Sequence, residues 1–160
     1  MIAECAERMK ISLLILGCML AAPISVMADG AGTEEDPAAG VLIVTLSGMK
    51  SDEGRLVYAM WSGPDGWLEG NTVREGAVGI EAGRSMIRFE GLAHGEYAIS
   101  AYHDRNGNGK LDTGLFGIPK EPLGTSNDAK IRFGPPKYED AVFILDRSEL
   151  SIEIPVRKVF

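Results

Sequence analysis

Residues 103–140 can form neither a helix nor an unbroken sheet. Gly107, Gly109, Gly114, Gly117, Gly124 and Gly134 alternate along this stretch with Pro119, Pro122, Pro135 and Pro136. Each glycine frees φ, and each proline locks φ and removes a donor, so the backbone must turn repeatedly. Strand-like sequence flanks the stretch on both sides. A connection this long is functional or disordered. Its apolar residues, Leu111, Leu115, Phe116, Ile118, Phe133 and Tyr138, argue for order, because disordered segments are poor in such side chains. The expectation is an ordered, shaped loop.

The rest of the chain reads as short strands. Residues 41–46 are nearly all apolar and β-branched, which predicts a central strand buried on both faces. After the Ser51-Asp52-Glu53-Gly54 turn, residues 55–61 are expected to return as the second arm of a hairpin. Residues 76–80 and 85–89 make two further strands around Glu81-Ala82-Gly83. Phe89 and Leu92 are placed beneath a turn bounded by Gly91 and Gly95, with Tyr97, Ile99 and Ala101 alternating outwards along the next strand. Residues 141–145 and 150–156 close the fold. About seven short strands with turn signals between them predict an all-β sandwich.

Residues 9–28 have the order of a secretory signal: Arg8 and Lys10, an apolar run over 11–22, then Pro23 and a cleavage site after Ala28 in Val26-Met27-Ala28. About a dozen strongly apolar residues fall short of the roughly 20 that a spanning helix needs. A signal peptide over 1–28, with Met9 as an alternative start, predicts a periplasmic or secreted protein without a transmembrane helix in its mature form. Residues 29–40 read as an acidic linker, and 41–157 as the sandwich domain. Both cysteines, Cys5 and Cys18, fall in the leader, so no disulfide is available to the mature domain. Sixteen Lys and Arg against 23 Asp and Glu give a net charge of -7. Without a basic run, nucleic acid is excluded as a ligand class.

One segment carries metal-ligand spacing. Asp104, Asn106 and Asn108 occupy positions 1, 3 and 5 of a calcium loop, the Lys110 carbonyl position 7 and Asp112 position 9, with Gly109 at the sharp turn. Position 12 holds Leu115 where an EF-hand has a bidentate Glu, so a helix-loop-helix is ruled out. What remains is a calcium loop on a β scaffold, completed by Asp128, Glu139, Asp140 or water, with affinity on the order of 10⁻⁴ to 10⁻³ M. The alternative is a metal-free loop whose Asp and Asn side chains cap their own backbone.

No catalytic constellation accompanies it. His103 and Asp104 are neighbours on a strand and point to opposite faces, and neither His103 nor His94 has a Ser or Cys nucleophile in a recognisable setting. A non-enzyme is expected, with His103 a packed or loop-bonding residue. Trp61 is expected in the core and Trp67, in a Gly-rich loop, at the surface, where it and Tyr58 offer stacking for sugars. Lys120, Glu121, Lys137, Glu139 and Asp140 read as solvated loop charges.

The Phe89-x-Gly91-Leu92-x-x-Gly95-x-Tyr97 passage resembles the hairpin of transthyretin-like sandwiches. His103-Asp104, Asn106 to Asp112, Gly117-Ile118-Pro119-Lys120-Glu121, Ser126-Asn127-Asp128-Ala129 and Phe133-Gly134-Pro135-Pro136 follow in order. Together they are similar to the bacterial family known as domain of unknown function 2141, over residues 41–156. The resemblance implies an exported, transthyretin-like β-sandwich and no activity. Pro122-Leu123-Gly124-Thr125 replaces the usual Gly-aromatic-Gly-Phe wording, so any surface built by those aromatics is lost here. The resulting expectation is a non-enzymatic binding or structural module of the cell envelope. Its long loop, residues 117–133 above all, meets an envelope protein or glycan, and calcium is its one expected cofactor. A carbohydrate-binding or carrier-like module using Trp67 and the loop aromatics is the alternative.

Overall fold

The computed structural model describes residues 39–131 and 134–159. The expected leader, most of the linker and Phe133 lie outside the described residues. The strands are β1 (Ala39–Ser47), β2 (Arg55–Trp61), β3 (Arg74–Val78), β4 (Arg84–Ala93), β5 (Gly95–Asp104), β6 (Leu123–Thr125), β7 (Phe143–Leu145) and β8 (Glu149–Pro155), with one helical turn, α1 (Tyr138–Ala141), before β7. They form two sheets, β4-β1-β8 and β3-β2-β5-β6, with β7 added to β5. This is the expected all-β sandwich. Among the described residues no helix is long and apolar enough to cross a membrane.

Alternation along β1 sends Leu42, Val44 and Leu46 into the space between the sheets, while Val41, Ile43 and Thr45 stay half-buried on the outer face. The strand is central but buried on one face only, because among the described residues nothing covers the outer face of the three-stranded sheet as a crossover helix covers a parallel sheet. Leu56 and Met60 from β2, Phe89 from β4 and Ile99 from β5 meet it in one core. Tyr97, Ile99 and Ala101 therefore face inwards, contrary to the outward alternation expected for them.

Pairing also differs from the expectation. β1 is hydrogen-bonded to β4 and, in parallel, to β8, whereas β2 lies between β3 and β5 in the other sheet, so β1 and β2 are not a hairpin. β3 and β4 likewise belong to different sheets. Each of these two links crosses the sandwich, and the crossings hold each other: the Asp52 carboxylate accepts from Ala82 N and Gly83 N at 3.0 and 2.8 Å, and Met49 N donates to Gly83 O. Two strands with identical apolar alternation can bury their faces side by side or opposite one another. Alternation sets the buried face and leaves the neighbour open.

The far side of β5 is covered in instalments. β6 pairs with Ser100, Ala101 and Tyr102, and β7 with Gly95, Glu96 and Tyr97. Between them Ser126 Oγ accepts from Ile99 N at 3.0 Å and donates to Ala141 O at 2.6 Å, so a side chain substitutes for the missing strand. β6 also reaches the other sheet, since Leu123 and Arg157 exchange backbone bonds at 3.0 Å. Gly124 lies at this closure. A Cβ there would stand 2.5 Å from Pro155 O, a backbone atom that cannot swing away. Gly124→Ala is expected to cost about 1–3 kcal/mol by overpacking, read in urea unfolding as a lower midpoint at unchanged slope.

Candidate binding groove and its loop

At the end of β5 the side chains of His103 and Asp104 leave opposite faces of the strand. His103 is buried, and its Nε2 donates to Glu53 O at 2.7 Å, a packed and loop-bonding role as expected. Its Nδ1 is buried without a partner among the described residues. Gly54 makes this approach feasible: its φ is +76°, and a Cβ would lie 2.1 Å from Asp104 O.

Asp104 is fully buried and organises the turn that follows. Oδ1 accepts from Asn108 N at 3.1 Å, Oδ2 from Gly109 N at 2.9 Å, and Arg55 Nε adds a longer contact at 3.4 Å. Burial pushes the Asp104 carboxyl up, but the Gly109 N–H, the Arg55 side chain and the Gly107 and Asn108 backbone outweigh it, and the group titrates below its ordinary value. Asn106 Oδ1 accepts from Asn108 N at 3.1 Å and Asn108 Oδ1 from Lys110 N at 2.8 Å. The amide nitrogens of Asn106 and Asn108 donate to the Asp112 carboxylate at 2.7 and 3.2 Å. Four of the five expected metal-ligating residues, Asp104, Asn106, Asn108 and Asp112, are thus brought together by side-chain bonds, and Lys110 lies on the same turn through its backbone.

The acid that joins this turn is Glu121, which was expected to be a solvated loop charge. It is 7 % exposed, with Oε1 accepting from Arg105 N at 3.3 Å and Oε2 from Asp112 N at 3.1 Å. A buried carboxylate needs such donors, and the loop supplies two from opposite ends. Nothing in local composition separates it from the exposed Lys120 beside it. Asp128 instead pairs with Lys130 and Arg157, while Glu139 and Asp140 belong to α1. Described residues hold no group of three or more His, Cys, Asp or Glu side chains placed to share a metal ion, so any cation here draws on amide and carbonyl oxygens as well.

Loop closure is completed by backbone bonds from His103 N to Pro122 O, Lys120 N to Asp112 O and Gly114 N to Ile118 O. The loop arches over the outer face of the larger sheet, leaving a half-open groove of 1210 Å³. Val57, Ala59, Ala77, Ser100 and Tyr102 form the floor, and Leu111, Phe116, Ile118 and Pro119 the roof. At the roof's tip Phe116 takes a φ of +61° and is 98 % exposed, a backbone state bulky residues rarely adopt.

Trp61 closes one end of the groove. It sits on the sheet's outer face and not in the core between the sheets, buried in a second cluster with Ala98, Tyr138 and Ala141. Its Nε1 donates to Gly70 O at 2.6 Å. Trp67 meets Trp61 and Tyr138 edge-on, at centroid distances of 4.8 and 5.8 Å, and donates to Pro136 O at 2.8 Å. It thereby ties the 62–70 loop to the 134–137 segment. Tyr58, expected beside the tryptophans, lies on the inner face against Phe89.

These features define the class: a two-sheet β-sandwich with a self-capped loop roofing a groove on its larger sheet. The chain belongs to the bacterial family DUF2141, described as uncharacterized protein conserved in bacteria, whose family model matches residues 44–153. No curated protein and no solved structure matches it. Leu123 and Thr125, where the sequence departs from the family wording noted above, both line the groove.

The Asp104 cap makes stability depend on acid in a defined direction. Its folded pKa lies below the unfolded value of about 3.9, so its contribution is complete above that value and is lost as pH falls through the folded pKa. Asp128, lowered by its Lys130 hydrogen bond, and Asp146, lowered by Arg147, act in the same sense. Thermal melts between pH 7 and about pH 3 are expected to show a falling Tm below about pH 4. Asp104→Asn should lower Tm at pH 7 and flatten part of that slope.

Proposed function

We propose that this chain is an exported, non-enzymatic binding module of the cell envelope, and that its ligand enters the groove between the outer face of β2, β3, β5 and β6 and the roof at residues 111–119. The observation that carries the reading is the groove itself. Its volume exceeds what a drug-sized ligand needs, its walls are mainly apolar, and a few hydroxyl and charged groups punctuate them. Support for a non-catalytic role comes from the histidines: His103 is committed to Glu53 O inside the sandwich, and His94 is exposed away from Asp104 on the turn that precedes β5. An NMR screen of small fragments is expected to perturb Ala59, Ser100 and Tyr102. Hits confined to the β4-β1-β8 sheet would sink the proposal.

Calcium belongs to the same proposal as a stiffener of the roof. A cation seated among the oxygens of Asp104, Asn106, Asn108, Asp112 and the Lys110 carbonyl exchanges the two amide bonds to Asp112 for metal bonds. The polypeptide path is retained. With a Kd on the order of 10⁻⁴ to 10⁻³ M, calcium at about 10 mM contributes roughly 1.4–2.7 kcal/mol by linkage. Thermal unfolding in 10 mM calcium against EDTA is expected to show a Tm raised by several degrees. Asp112→Asn keeps an acceptor for the amides but should lose most of that rise, and an unchanged Tm in the unsubstituted protein removes calcium from the reading.

A further inference from the structure

We propose that Asn106 is a site of self-modification: the following nitrogen, Gly107 N, attacks its side chain, ammonia leaves, and water completes the change to a carboxylate. The product exchanges a self-capped loop for one that draws in a cation.

Reactivity comes first. The chain places Asn106 before Gly107 and Asn108 before Gly109, all of them exposed. The residue after an asparagine reacts with its side chain only where the backbone nitrogen can approach Cγ, and glycine, with no Cβ, obstructs that approach least. Gly107 has a φ of +71°, and the space its missing Cβ would take is open. Asn106 Oδ1 accepts from Asn108 N at 3.1 Å. Such an Asx turn bends the side-chain carbonyl back over the next peptide, which brings Cγ towards Gly107 N. The same bond sets a donor on the oxygen where negative charge gathers during attack.

In the step, Gly107 N gives its proton to solvent and bonds to Asn106 Cγ, the Cγ–Nδ2 bond breaks, and the amide nitrogen departs as ammonia. Water then opens the cyclic imide: its hydroxyl bonds to one of the two carbonyl carbons, giving aspartate or isoaspartate, and a proton returns to Gly107 N. One water enters and one ammonia leaves, with no oxidation or reduction.

Asp104 separates the two asparagines. At Asn108 the attacking atom is Gly109 N, whose N–H is bound to the buried Asp104 Oδ2 at 2.9 Å. An imide nitrogen has no proton, so a ring there strips the buried carboxylate of a charge-assisted bond. Gly107 N faces the same carboxylate without a hydrogen bond of normal length among the described residues, and its loss leaves Asp104 with both Asn108 N and Gly109 N. Asn108 is also held harder, with Lys110 N on Oδ1 at 2.8 Å and Nδ2 shared between both Asp112 oxygens. The new carboxylate at 106 stands where an amide now donates to Asp112 at 2.7 Å. Two anions then face each other, which loosens the turn, and a cation gains a charged ligand at the third calcium position. That consequence rests on the calcium reading above, whereas the modification does not.

Purified protein held at mildly alkaline pH in EDTA, folded or in urea, is sampled over days. Cleavage after Arg105 and Lys110 frees one peptide carrying both asparagines, and its fragment masses tell them apart. In the folded protein, product at 106 is expected to accumulate at least about tenfold faster than at 108, and in urea the two should react alike. Equal rates in the folded protein, or faster reaction at 108, overturn the assigned site. Reaction in urea with none in the folded protein overturns the modification itself. Asn106→Asp, which carries the aspartate product, should melt lower in EDTA and gain more from calcium than the unsubstituted chain. A gain no larger overturns the switch to cation dependence. If neither chain responds to calcium, the calcium reading fails, while the masses still decide the modification.

Discussion

A buried carboxylate at the end of a strand is the constraint on which the rest of this structure depends. An isolated ionised carboxylate taken out of water costs several kcal/mol even after relaxation, while each hydrogen bond to a charged group returns about 1.5–3 kcal/mol. Asp104 is fully buried, so its ionised form is sustained only if the chain brings donors to it. Those donors are Asn108 N and Gly109 N, with Arg55 completing the set. Satisfying one group therefore dictates the path of the next five residues and anchors the guanidinium that borders the groove. Glu121 repeats the solution at the other end of the loop.

The loop is also a structural part of the sandwich. Its returning limb becomes β6, which extends the larger sheet and makes backbone bonds to Arg157 beyond β8. Ser126 and β7 then complete the covering of β5. A β-strand with unpaired backbone groups is a liability in water, and here three different devices share one edge. The groove roof is consequently suspended between two fixed points, the Asp104 turn and β6. This arrangement lets residues 111–119 present apolar side chains to solvent without the loop losing its course.

Much of this was legible because alternation of apolar residues reports which side of a strand is buried. The strands, the sandwich and the ordered nature of residues 103–140 follow from period-2 patterning, from turn residues and from the apolar content of the loop. Neighbour choice did not follow. Val44 and Leu56 carry the same signal whether their strands pair or face each other across the core. Trp61 reads as a core residue because it is apolar and lies on a strand, but its end of the outer face of β2 is covered by Trp67 and Tyr138, which alternation does not report. Glu121 was invisible for a related reason: its burial depends on backbone donors at Arg105 and Asp112, which spacing alone does not bring together. The groove combines four strands and three loop segments and exists only once all of them are placed.

The loop divides its labour by side-chain type. Its polar residues, from Asp104 to Asp112 and Glu121, spend their hydrogen bonds on the loop itself. Leu115 and Phe116 are 83 % and 98 % exposed and contribute almost no apolar burial to the folded chain, while Leu111 and Ile118 are only partly covered. Exposed apolar side chains of this kind are unfavourable for solubility and close to neutral for stability unless something else covers them. A molecule seated in the groove would cover the inward-facing ones. Each Å² of apolar surface thereby removed from water contributes roughly 25 cal/mol, a gain made on binding and not on folding. The strained φ of Phe116 fits the same division: the cap at Asp104 and the strand at β6 hold the tip in that conformation, while the stability of the sandwich comes from the core beneath.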